Sequence, residues 1–426
     1  MNPPVETVET AARTEGGSAT HPGGPAEASP RITLSLLVTL ALLSAIAPIA
    51  TDLYLPAFPQ MVTDLATSTT GVQFSLTAFL VGAGVGQVLF GPLSDRWGRR
   101  APLLIGAAVF VVASVGAAMA PSVAVLVAFR VLQGVSGAAG MVIGRAVVVD
   151  LARGREAARA FTLLMMIGGV APVIAPLVGS SLTDVIGWRG LLWIATALGA
   201  VALVSVFMVV KETLPVAARR ESGVVGSLIE FRALGSRSYV GATLAFAFGF
   251  TTLMSYISAS PFLYQDLMGL TTLQYGLAFG ANALVLMGVS GVAAKLTMRW
   301  GSLRTARAGL AINLGSILVL GVLVLTDAPV RWLALPILVA VSALGLVLGS
   351  TTALALDAVP DVAGGASAVL GLAQFGLAAI AAPLVSLGGG TSALPLAVTM
   401  LVASVAANAG LRIASRAVTP AEVLRA

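Results

Sequence analysis

Two charged side chains lie inside long apolar stretches of the chain. Asp52 stands in IAPIATDLYLPAFPQM, beside three prolines, and Arg130 stands in VAFRVLQGVSGAAGMVIGR. A charge at the centre of a bilayer costs about 2.5–3.5 kcal/mol on insertion scales, so each of these two needs a reason. Prolines remove helix hydrogen bonds and bend the backbone, which can open a cavity beside Asp52. Asp52 is therefore a candidate for carrying protons and binding a ligand; the alternative is that it caps a helix end.

Arg130 begins a stripe of polar and small residues on one helix face. At spacings of three and four, the stripe comprises Arg130, Gln133, Gly137, Gly140 and Gly144. The glycines favour close helix packing, and Arg130 either binds a ligand together with Gln133 or extends its charge towards water. Removal from water favours the neutral form of a carboxyl group, whereas a neighbouring arginine favours the charged form. We therefore expect Asp52 and Arg130 to pair loosely or in only one conformational state.

A third cluster of charge occupies a short link. In DRWGRR, residues 95–100, four of six positions are charged, in a chain of which only 10% is charged. The link is too short to move freely, and it places Asp95 at one helix end and arginines at the start of the next. Such a cluster can pair with its own neighbours, or across the seam between the two halves, in one conformation and release them in the other, which would make it a latch. Anionic lipid headgroups are the alternative partners of the arginines.

The overall composition is that of a membrane protein. Apolar types make up 58% of the 426 residues and charged types 10%, whereas soluble domains carry about 25% charged residues. The net charge of +6 resides in short links between apolar segments, so we expect no nucleic-acid partner. The chain has no cysteine, its single histidine is His21, and neither lysine follows a glycine. With no thiolate site, no Walker A loop and no clustered catalytic groups, we expect no metal, no cofactor and no enzymatic activity.

Twelve apolar runs reach the roughly 20 residues that a membrane-spanning helix needs. They cover 32–54, 71–91, 102–120, 122–149, 161–183, 190–210, 239–263, 273–294, 308–326, 333–356, 364–387 and 393–411. We predict an all-α membrane protein with twelve transmembrane helices in two six-helix bundles. The expected parts are a disordered cytoplasmic tail at 1–31, bundles at 32–210 and 239–411, a central cytoplasmic link at 211–238 and a cytoplasmic tail at 412–426.

The distribution of basic residues predicts the orientation. With both termini in the cytoplasm, 20 of the 24 lysines and arginines lie in inner segments, and two, Arg189 and Arg331, lie in outer loops. That bias follows the positive-inside rule. The RWG triplet at 96–98 also matches the one at 299–301, in equivalent positions of the two predicted bundles. Such an internal repeat is typical of transporters.

The link at 91–100 resembles the loop 2–3 signature of the major facilitator superfamily. The matching residues are Gly91, Leu93, Asp95, Arg96, Gly98, Arg99 and Arg100. The resemblance implies the major facilitator fold and transport by alternating access. In the family this cluster helps to hold the inner side closed, so the expected latch consists of Gly91, Asp95, Arg96, Gly98, Arg99 and Arg100. The corresponding segment of the second predicted bundle, around the RWG triplet at 299–301, has Met298 in place of the acid and Ala294 in place of the first glycine. Any latch should therefore be asymmetric.

Three further stretches resemble Bcr/CflA-type drug exporters. They are TDLYLPAFPQM, the segment from Gly168 to Ser180, and DVIGWRGLLWI. The second also resembles the antiporter motif of the superfamily, and its Pro172, Pro176 and Gly179 are expected to make the helix flexible. Arg130 and Gln133 fit the span 4 motif of the family. The resemblance implies a proton antiporter that exports drugs and is driven by the proton gradient.

We therefore expect a cavity that binds an amphipathic small molecule of the phenicol or bicyclomycin kind. The predicted binding residues are Asp52, Tyr54, Arg130, Gln133, Phe250 and Tyr256. For the aromatic residues, core packing or lipid contact is an equal alternative, and the same holds for Gln87, Asn282, Asn313 and Gln374. The competing functions are a proton-coupled symporter or exporter of a small metabolite, and a non-transporting membrane sensor. A sugar site would need more carboxamides and carboxylates, and a sensor would usually have a soluble output domain.

These expectations also define a location and partners. We predict a multi-pass protein of the inner (plasma) membrane, monomeric, with both termini cytoplasmic. Its expected partners are a drug, protons and membrane lipids.

Overall fold

The computed structural model describes residues 33–152, 154–219, 234–388 and 392–417. The tail predicted at 1–31, the middle of the predicted link at 220–233 and the chain from 418 onwards lie outside the described residues. Within the four described ranges the secondary structure is entirely helical. The all-α prediction is confirmed there.

Eleven α-helices follow one another in these ranges. They are α1 (Leu34–Asp52), α2 (Phe58–Asp64), α3 (Thr69–Trp97), α4 (Arg100–Ala118), α5 (Val123–Leu151), α6 (Gly154–Val209), α7 (Arg237–Pro261), α8 (Thr272–Leu325), α9 (Ala334–Asp357), α10 (Ala363–Val385) and α11 (Leu394–Ala417). A π-helical turn covers Phe262–Leu267. Short 3₁₀ turns cover Leu55–Ala57, Val216–Ala218, Val330–Leu333, Pro360–Val362 and Ser386–Gly388.

Serine and threonine side chains mark where long helices begin. A backbone N–H three residues further on donates to the hydroxyl of each of Thr33, Ser68, Ser122 and Ser236. At α8, Thr271 and Gln274 form a reciprocal capping box. Such caps satisfy N–H groups that have no partner inside the helix. A short polar side chain just before an apolar run therefore fixes where each of these helices begins.

Ten helical segments in the described ranges are long and apolar enough to cross a membrane. The two longest, Arg159–Val209 within α6 and Thr272–Leu325, have 51 and 54 residues, more than twice the length that one crossing needs. Each contains one glycine with left-handed backbone geometry, Gly187 with φ 66° and Gly301 with φ 78°. Glycine adopts positive φ without a steric penalty, so it permits a sharp break. Each long helix is thus two helical segments joined at a glycine.

The link predicted around 92–101 is shorter than expected. α3 remains helical through Pro92 to Trp97, and α4 begins at Arg100. Asp95 therefore lies on a helix, and Gly98, with φ 89°, provides the turn. The predicted run ended at 91, before Pro92 and the charges that follow, but the helix continues through both, because a helix end can carry charge and remain regular where its side chains pair with one another.

The N-terminal half (33–219) and the C-terminal half (234–417) meet along two helix pairs. α3 packs against α10, and α6 packs against α8. Within the N-terminal half, α3 and α5 cross closely at Gly82 and Gly134, where a Cβ would collide with the backbone of the opposite helix. This crossing brings Ser75 and Phe79 of α3 beside Arg130 of α5.

The two halves are joined at one end and separated towards the other. At the joined end, the side-chain amide of Gln73 donates to Ser258 O at 2.8 Å, and that of Gln265 donates to Pro56 O at 3.0 Å. Towards the end that carries Asp95, a space of about 570 Å³ lies between Gly169 and Pro172 of α6 and the part of α8 that runs to Thr297. The halves are therefore joined at the Asp52 end, and α6 and α8 diverge towards the Asp95 end.

Candidate functional site

Asp52 lies on the wall of a cavity of about 300 Å³ between the two halves. Most of the lining is apolar, and the polar side chains in it are Ser44, Thr51, Asp52, Tyr256, Asn282 and Gln374. A second cavity of about 570 Å³ shares Pro172, Ala283 and Leu286 with the first and extends along α8 to Thr297. The two cavities therefore adjoin at these three residues, and the second extends towards the Asp95 end.

Asp52 is the last residue of α1 and is only 4% exposed. Its Oδ1 accepts a hydrogen bond of 2.9 Å from Thr51 Oγ1, which also contacts the carbonyl oxygen of Pro48 at 3.0 Å. Pro48 leaves α1 without one backbone N–H at this level, and the cavity opens beside it. The carboxyl group is thus held in the cavity wall, largely removed from bulk water.

Arg130 is completely buried and lies behind the cavity wall rather than in it. Its Nη1 donates to Ala50 O at 3.0 Å and to Gln133 Oε1 at 2.5 Å. Its Nη2 donates to Tyr54 Oη at 3.2 Å, and its Nε donates to Ser75 O at 3.3 Å. Four donor contacts compensate for the loss of hydration of the guanidinium.

Two aromatic rings flank the guanidinium. Its central carbon lies 4.7 Å from the ring centre of Tyr54 and 4.6 Å from that of Phe79, a geometry that favours cation–π attraction. Phe79 is itself part of the cavity lining, so it stands between Arg130 and the cavity. In the described part of the chain Arg130 and Asp52 form no ion pair. The positive charge of Arg130 therefore attracts the carboxylate of Asp52 without direct contact.

The predicted binding residues therefore divide into two groups. Asp52, Phe250 and Tyr256 line the cavity. Tyr54, Arg130 and Gln133 form the buried network behind it, which also includes a 2.6 Å hydrogen bond from Gln133 Nε2 to Ser114 Oγ. Their role in binding stays a prediction. Phe79 was not singled out by the sequence, because a phenylalanine in an apolar span carries no distinguishing signal.

The predicted latch pairs with neighbours in its own half. Arg99 Nη1 contacts Asp95 Oδ1 at 2.5 Å and Ser94 Oγ at 2.8 Å, while its Nε donates to Asp150 Oδ2 at 2.9 Å. Arg99 thereby connects the end of α3 with the end of α5 at the start of α4. In this conformation Arg99 pairs with its own neighbours, and the role of the cluster as a latch stays a prediction.

Glu212 completes this cluster, although the sequence gave no reason to single it out. Its carboxylate accepts the backbone N–H of Arg99 at 2.8 Å and that of Arg100 at 3.3 Å, which caps α4. Burial works to raise the pKa of Glu212, but backbone N–H groups of Arg99, Arg100, Thr213 and Leu214 outweigh it and hold that pKa below its usual value. The first residues after α6 are therefore bound to the turn at Gly98.

The three Bcr/CflA-like stretches meet at the closed end of the molecule. Gly179 of α6 touches the end of α1, where a Cβ would collide with Leu53 O. The indole N–H of Trp188 donates to Asp64 Oδ2 at 3.0 Å. α6 remains helical through Pro172 and Pro176, and its break lies at Gly187 instead. Helix flexing at the two prolines remains a prediction.

Comparisons with known proteins agree on the family. The profile of the Major Facilitator Superfamily matches residues 40–383. The chain is 35% identical to the "Uncharacterized MFS-type transporter YdgK" of Bacillus subtilis (strain 168) over 87% of its own length and 93% of that protein. It is 27% identical to a "Bicyclomycin resistance protein homolog" of Haemophilus influenzae (86% and 93% covered) and 32% identical to a "Chloramphenicol resistance protein" of Pseudomonas aeruginosa (68% and 69%).

Solved structures agree on the fold. The structure titled "Crystal structure of D-xylose-proton symporter" matches with a TM-score of 0.72 over 87% of this chain and 96% of that one, at 17% sequence identity. At that identity the likeness concerns the fold alone. The family and its structural neighbours are membrane transporters, and the long apolar helices described above fit an integral membrane protein. The chain therefore belongs to the major facilitator superfamily, and its named relatives are consistent with the Bcr/CflA type that the sequence resembles.

Proposed function

We propose that this protein exports amphipathic small molecules in exchange for protons and that Asp52 binds both in turn. The observation that carries the proposal is the position of Asp52, a nearly buried carboxyl group on the wall of a cavity between the halves. The names of the relatives from Haemophilus influenzae and Pseudomonas aeruginosa, which mention resistance to bicyclomycin and chloramphenicol, support a drug of that kind.

The surroundings of Asp52 suit a carboxyl group that takes up and releases a proton. Burial favours its neutral form and the charge of Arg130 favours its ionised form, so modest changes in hydration can shift its protonation. The guanidinium of Arg130 donates hydrogen bonds to Ala50, Gln133, Tyr54 and Ser75. Asp52 therefore forms no tight ion pair with it. A direct bond to Arg130 would oppose protonation, as the sequence-based expectation of loose pairing anticipates.

The proposed architecture is that of twelve spans in two bundles of six. The breaks at Gly187 and Gly301 divide α6 and α8 into two crossings each, which raises ten segments to twelve. The positive-inside bias then puts both termini and the Asp95 cluster in the cytoplasm and Asp52 near the outer face, in an inner membrane. In this orientation the structure is open to the inside.

Transport follows from these positions by alternating access. In the inward-open state, drug enters along α6 and α8 and Asp52 releases its proton as the drug binds. Rocking about the α3–α10 and α6–α8 contacts breaks the outer hydrogen bonds of Gln73 and Gln265, and protonation of Asp52 from outside releases the drug. We expect the protein to work as a monomer, because each chain contains a complete cavity.

The test is transport by the purified protein in lipid vesicles with an imposed pH gradient. We expect chloramphenicol or bicyclomycin to move against its gradient when protons flow the opposite way, and Asp52→Asn to abolish this coupling. Asp64→Asn is the matched control, because Asp64 lies at the same end but contacts Trp188 instead of the cavity. Proton-driven movement of substrate in the same direction as protons would indicate a symporter. Undiminished coupling in Asp52→Asn would remove Asp52 from the scheme.

A further inference from the structure

Arg145 is a positive charge inside a long apolar helix, and the proposed transport cycle gives it no role. It lies on α5, six residues before the last residue of that helix, or about 9 Å at 1.5 Å per residue. Among the residues that the structure describes, the acids in ion pairs are Asp95, Asp150 and Glu212, and none of them pairs with Arg145. A charge at membrane depth without a counter-ion is costly, so Arg145 needs a reason.

The position of Arg145 on α5 places it next to the cavity described above. Its Nε donates to Met141 O at 2.9 Å. Met141 lines the cavity and lies one helical turn earlier on the same face of α5. The side chain of Arg145 is half-buried, and its Nη1 donates to no described residue and is not fully enclosed by the protein. A ligand that extends out of the cavity past Met141 can therefore contact the guanidinium.

Gln87 of α3 is the polar neighbour of Arg145. Its Oε1 lies 3.5 Å from Nη2 of Arg145. Because a guanidinium can only donate, this contact indicates which end of the amide is oxygen and leaves two N–H donors on Nε2. Nε2 has no acceptor among the described residues, and it too is not fully enclosed. Gln87 also touches the C-terminal half, where a Cβ on Gly371 of α10 would lie 3.0 Å from Oε1. The pair thus stands at the seam between the halves.

The unused groups of this pair are all hydrogen-bond donors. Arg145 offers Nη1 and Gln87 offers Nε2, while the one acceptor, Gln87 Oε1, already faces Arg145. The complementary ligand is an acceptor with negative charge. A carboxylate matches the planar fork of a guanidinium and would supply the missing counter-ion. A neutral ligand would leave the charge of Arg145 uncompensated.

We propose that Arg145 and Gln87 form a binding subsite for the carboxylate of a small amphipathic acid. The carboxylate accepts hydrogen bonds from Nη1 of Arg145 and Nε2 of Gln87, and the apolar part of the acid extends past Met141 into the largely apolar cavity. The inference goes beyond the proposed function, because it adds a ligand class, organic anions, and a site outside the lining of the cavity. The phosphate of an anionic lipid has the same chemistry, so the experiment includes an arm for it.

The experiment is equilibrium binding to the purified full-length protein at neutral pH, in nanodiscs of phosphatidylcholine. The probes are naphthoate, a flat apolar carboxylate that is ionised at this pH, and naphthamide, its neutral counterpart of nearly the same shape. We expect wild type to bind naphthoate more tightly than naphthamide. Arg145→Gln should raise the Kd for naphthoate about 10- to 100-fold, the range expected for hydrogen bonds to a charged group, and leave that for naphthamide within about twofold.

Three further variants separate the subsite from a general effect of charge. Arg145→Lys keeps the charge and should raise the Kd for naphthoate by less than about tenfold. Arg304→Gln is the matched control, because it removes an exposed positive charge that forms no ion pair with any described residue. Its Kd should stay within about twofold of wild type. Gln87→Leu should raise the Kd about 3- to 10-fold, and it tests the subsite even if Arg145→Gln fails to fold.

Nanodiscs that also contain phosphatidylglycerol distinguish the acid from a lipid headgroup. The ratio of the naphthoate Kd of Arg145→Gln to that of wild type should persist in them. A ratio near one in these nanodiscs would show that the headgroup occupies the site and would overturn the proposal. Equal affinities of wild type for the two probes, or an unchanged naphthoate Kd in both Arg145→Gln and Gln87→Leu, would also overturn it. Naphthoate binding with the expected losses, in a protein that does not exchange drug for protons, would contradict the proposed function alone.

Discussion

Gln73 and Ser258, 185 positions apart in the chain, are joined by a hydrogen bond of 2.8 Å from the side-chain amide of Gln73 to the backbone oxygen of Ser258. Gln73 is 1% exposed and belongs to α3, whereas Ser258 belongs to α7 in the other half. The bond closes the molecule just beyond the cavity of Asp52. Any state in which that cavity opens at this end requires the bond to break.

Covalent linkage of this pair should therefore arrest transport. The chain has no cysteine, so Gln73→Cys with Ser258→Cys introduces the only two thiols. Oxidation or a short bifunctional maleimide should hold the closed end shut. We expect loss of more than about 90% of transport in vesicles, because a single fixed contact at the seam prevents the population of the opposite state. A reducing agent should restore the oxidised sample.

The same double-cysteine protein before cross-linking separates this effect from general damage. In its reduced form, Gln73→Cys with Ser258→Cys loses only the 2.8 Å hydrogen bond across the closed end and should retain transport. If the cross-linked protein transported at the rate of the reduced protein, the closed end would not need to open.

The buried arginine network provides a stability prediction. Arg130→Lys keeps the charge but cannot place donors on Ala50, Gln133, Tyr54 and Ser75 together, since an ammonium is a compact group with three hydrogens. We expect a loss of about 2–4 kcal/mol in the free energy of unfolding, from two or more unsatisfied buried partners. Thermal or denaturant unfolding of the purified protein measures it.

Arg145→Lys is the comparison for that variant. Arg145 donates to Met141 O at 2.9 Å and reaches Gln87 Oε1 only at 3.5 Å, and it is half-buried. Its replacement should cost less than half as much. Equal losses in the two variants would mean that the hydrogen bonds of Arg130 add nothing beyond burial of its charge.

Particular residues show what the sequence could predict of this site. Asp52 stood out because a carboxyl group among prolines in an apolar run is costly without a purpose, and it does lie on the cavity wall. The approximate positions of the long apolar helices follow from equally local signals. The surroundings of Arg130 depended on which helix crosses α5, and the hydrogen bond from Asn282 Nδ2 to Tyr264 Oη spans 18 positions. Glu212 reaches Arg99 across 113 positions. Such pairings arise from packing, which a single helix pattern does not contain.

The two acids that share Arg99 should behave differently when neutralised. The side chain of Asp95 is 42% exposed and that of Asp150 is 14% exposed, while Arg99 itself is 10% exposed. Asp150→Asn should lower the free energy of unfolding by about 1–3 kcal/mol, because it weakens the more buried pair. Asp95→Asn should cost less than about 1 kcal/mol, as exposed pairs do, yet slow turnover more than it weakens drug binding.

Denaturant unfolding and transport rates at saturating drug distinguish these outcomes. Thr213, whose hydroxyl donates to Asp150 Oδ2 at 2.8 Å, offers a control, since Thr213→Val removes one bond and no charge. Normal turnover in Asp95→Asn would discard the latch. A larger stability loss in Asp95→Asn than in Asp150→Asn would contradict the burial argument.

The lowered pKa of Glu212 predicts that the stability of the start of α4 depends on pH. Its pKa is held below the ordinary glutamate value by backbone donors, which outweigh burial, so the folded state favours the ionised form. The stabilisation is therefore present above the ordinary pKa and is lost as pH falls through the lowered one, below pH about 4. Hydrogen exchange of the backbone amides of Arg99 and Arg100, corrected for intrinsic rates, should show constant protection from pH 7 to 5 and loss of protection at lower pH.

In Glu212→Gln, the protection of these amides should already be reduced at pH 7 and vary little with pH. Glu156→Gln, at the start of α6, should match wild type. Equal protection in wild type and Glu212→Gln at pH 7 would show that the turn at Gly98 holds α4 without the carboxylate.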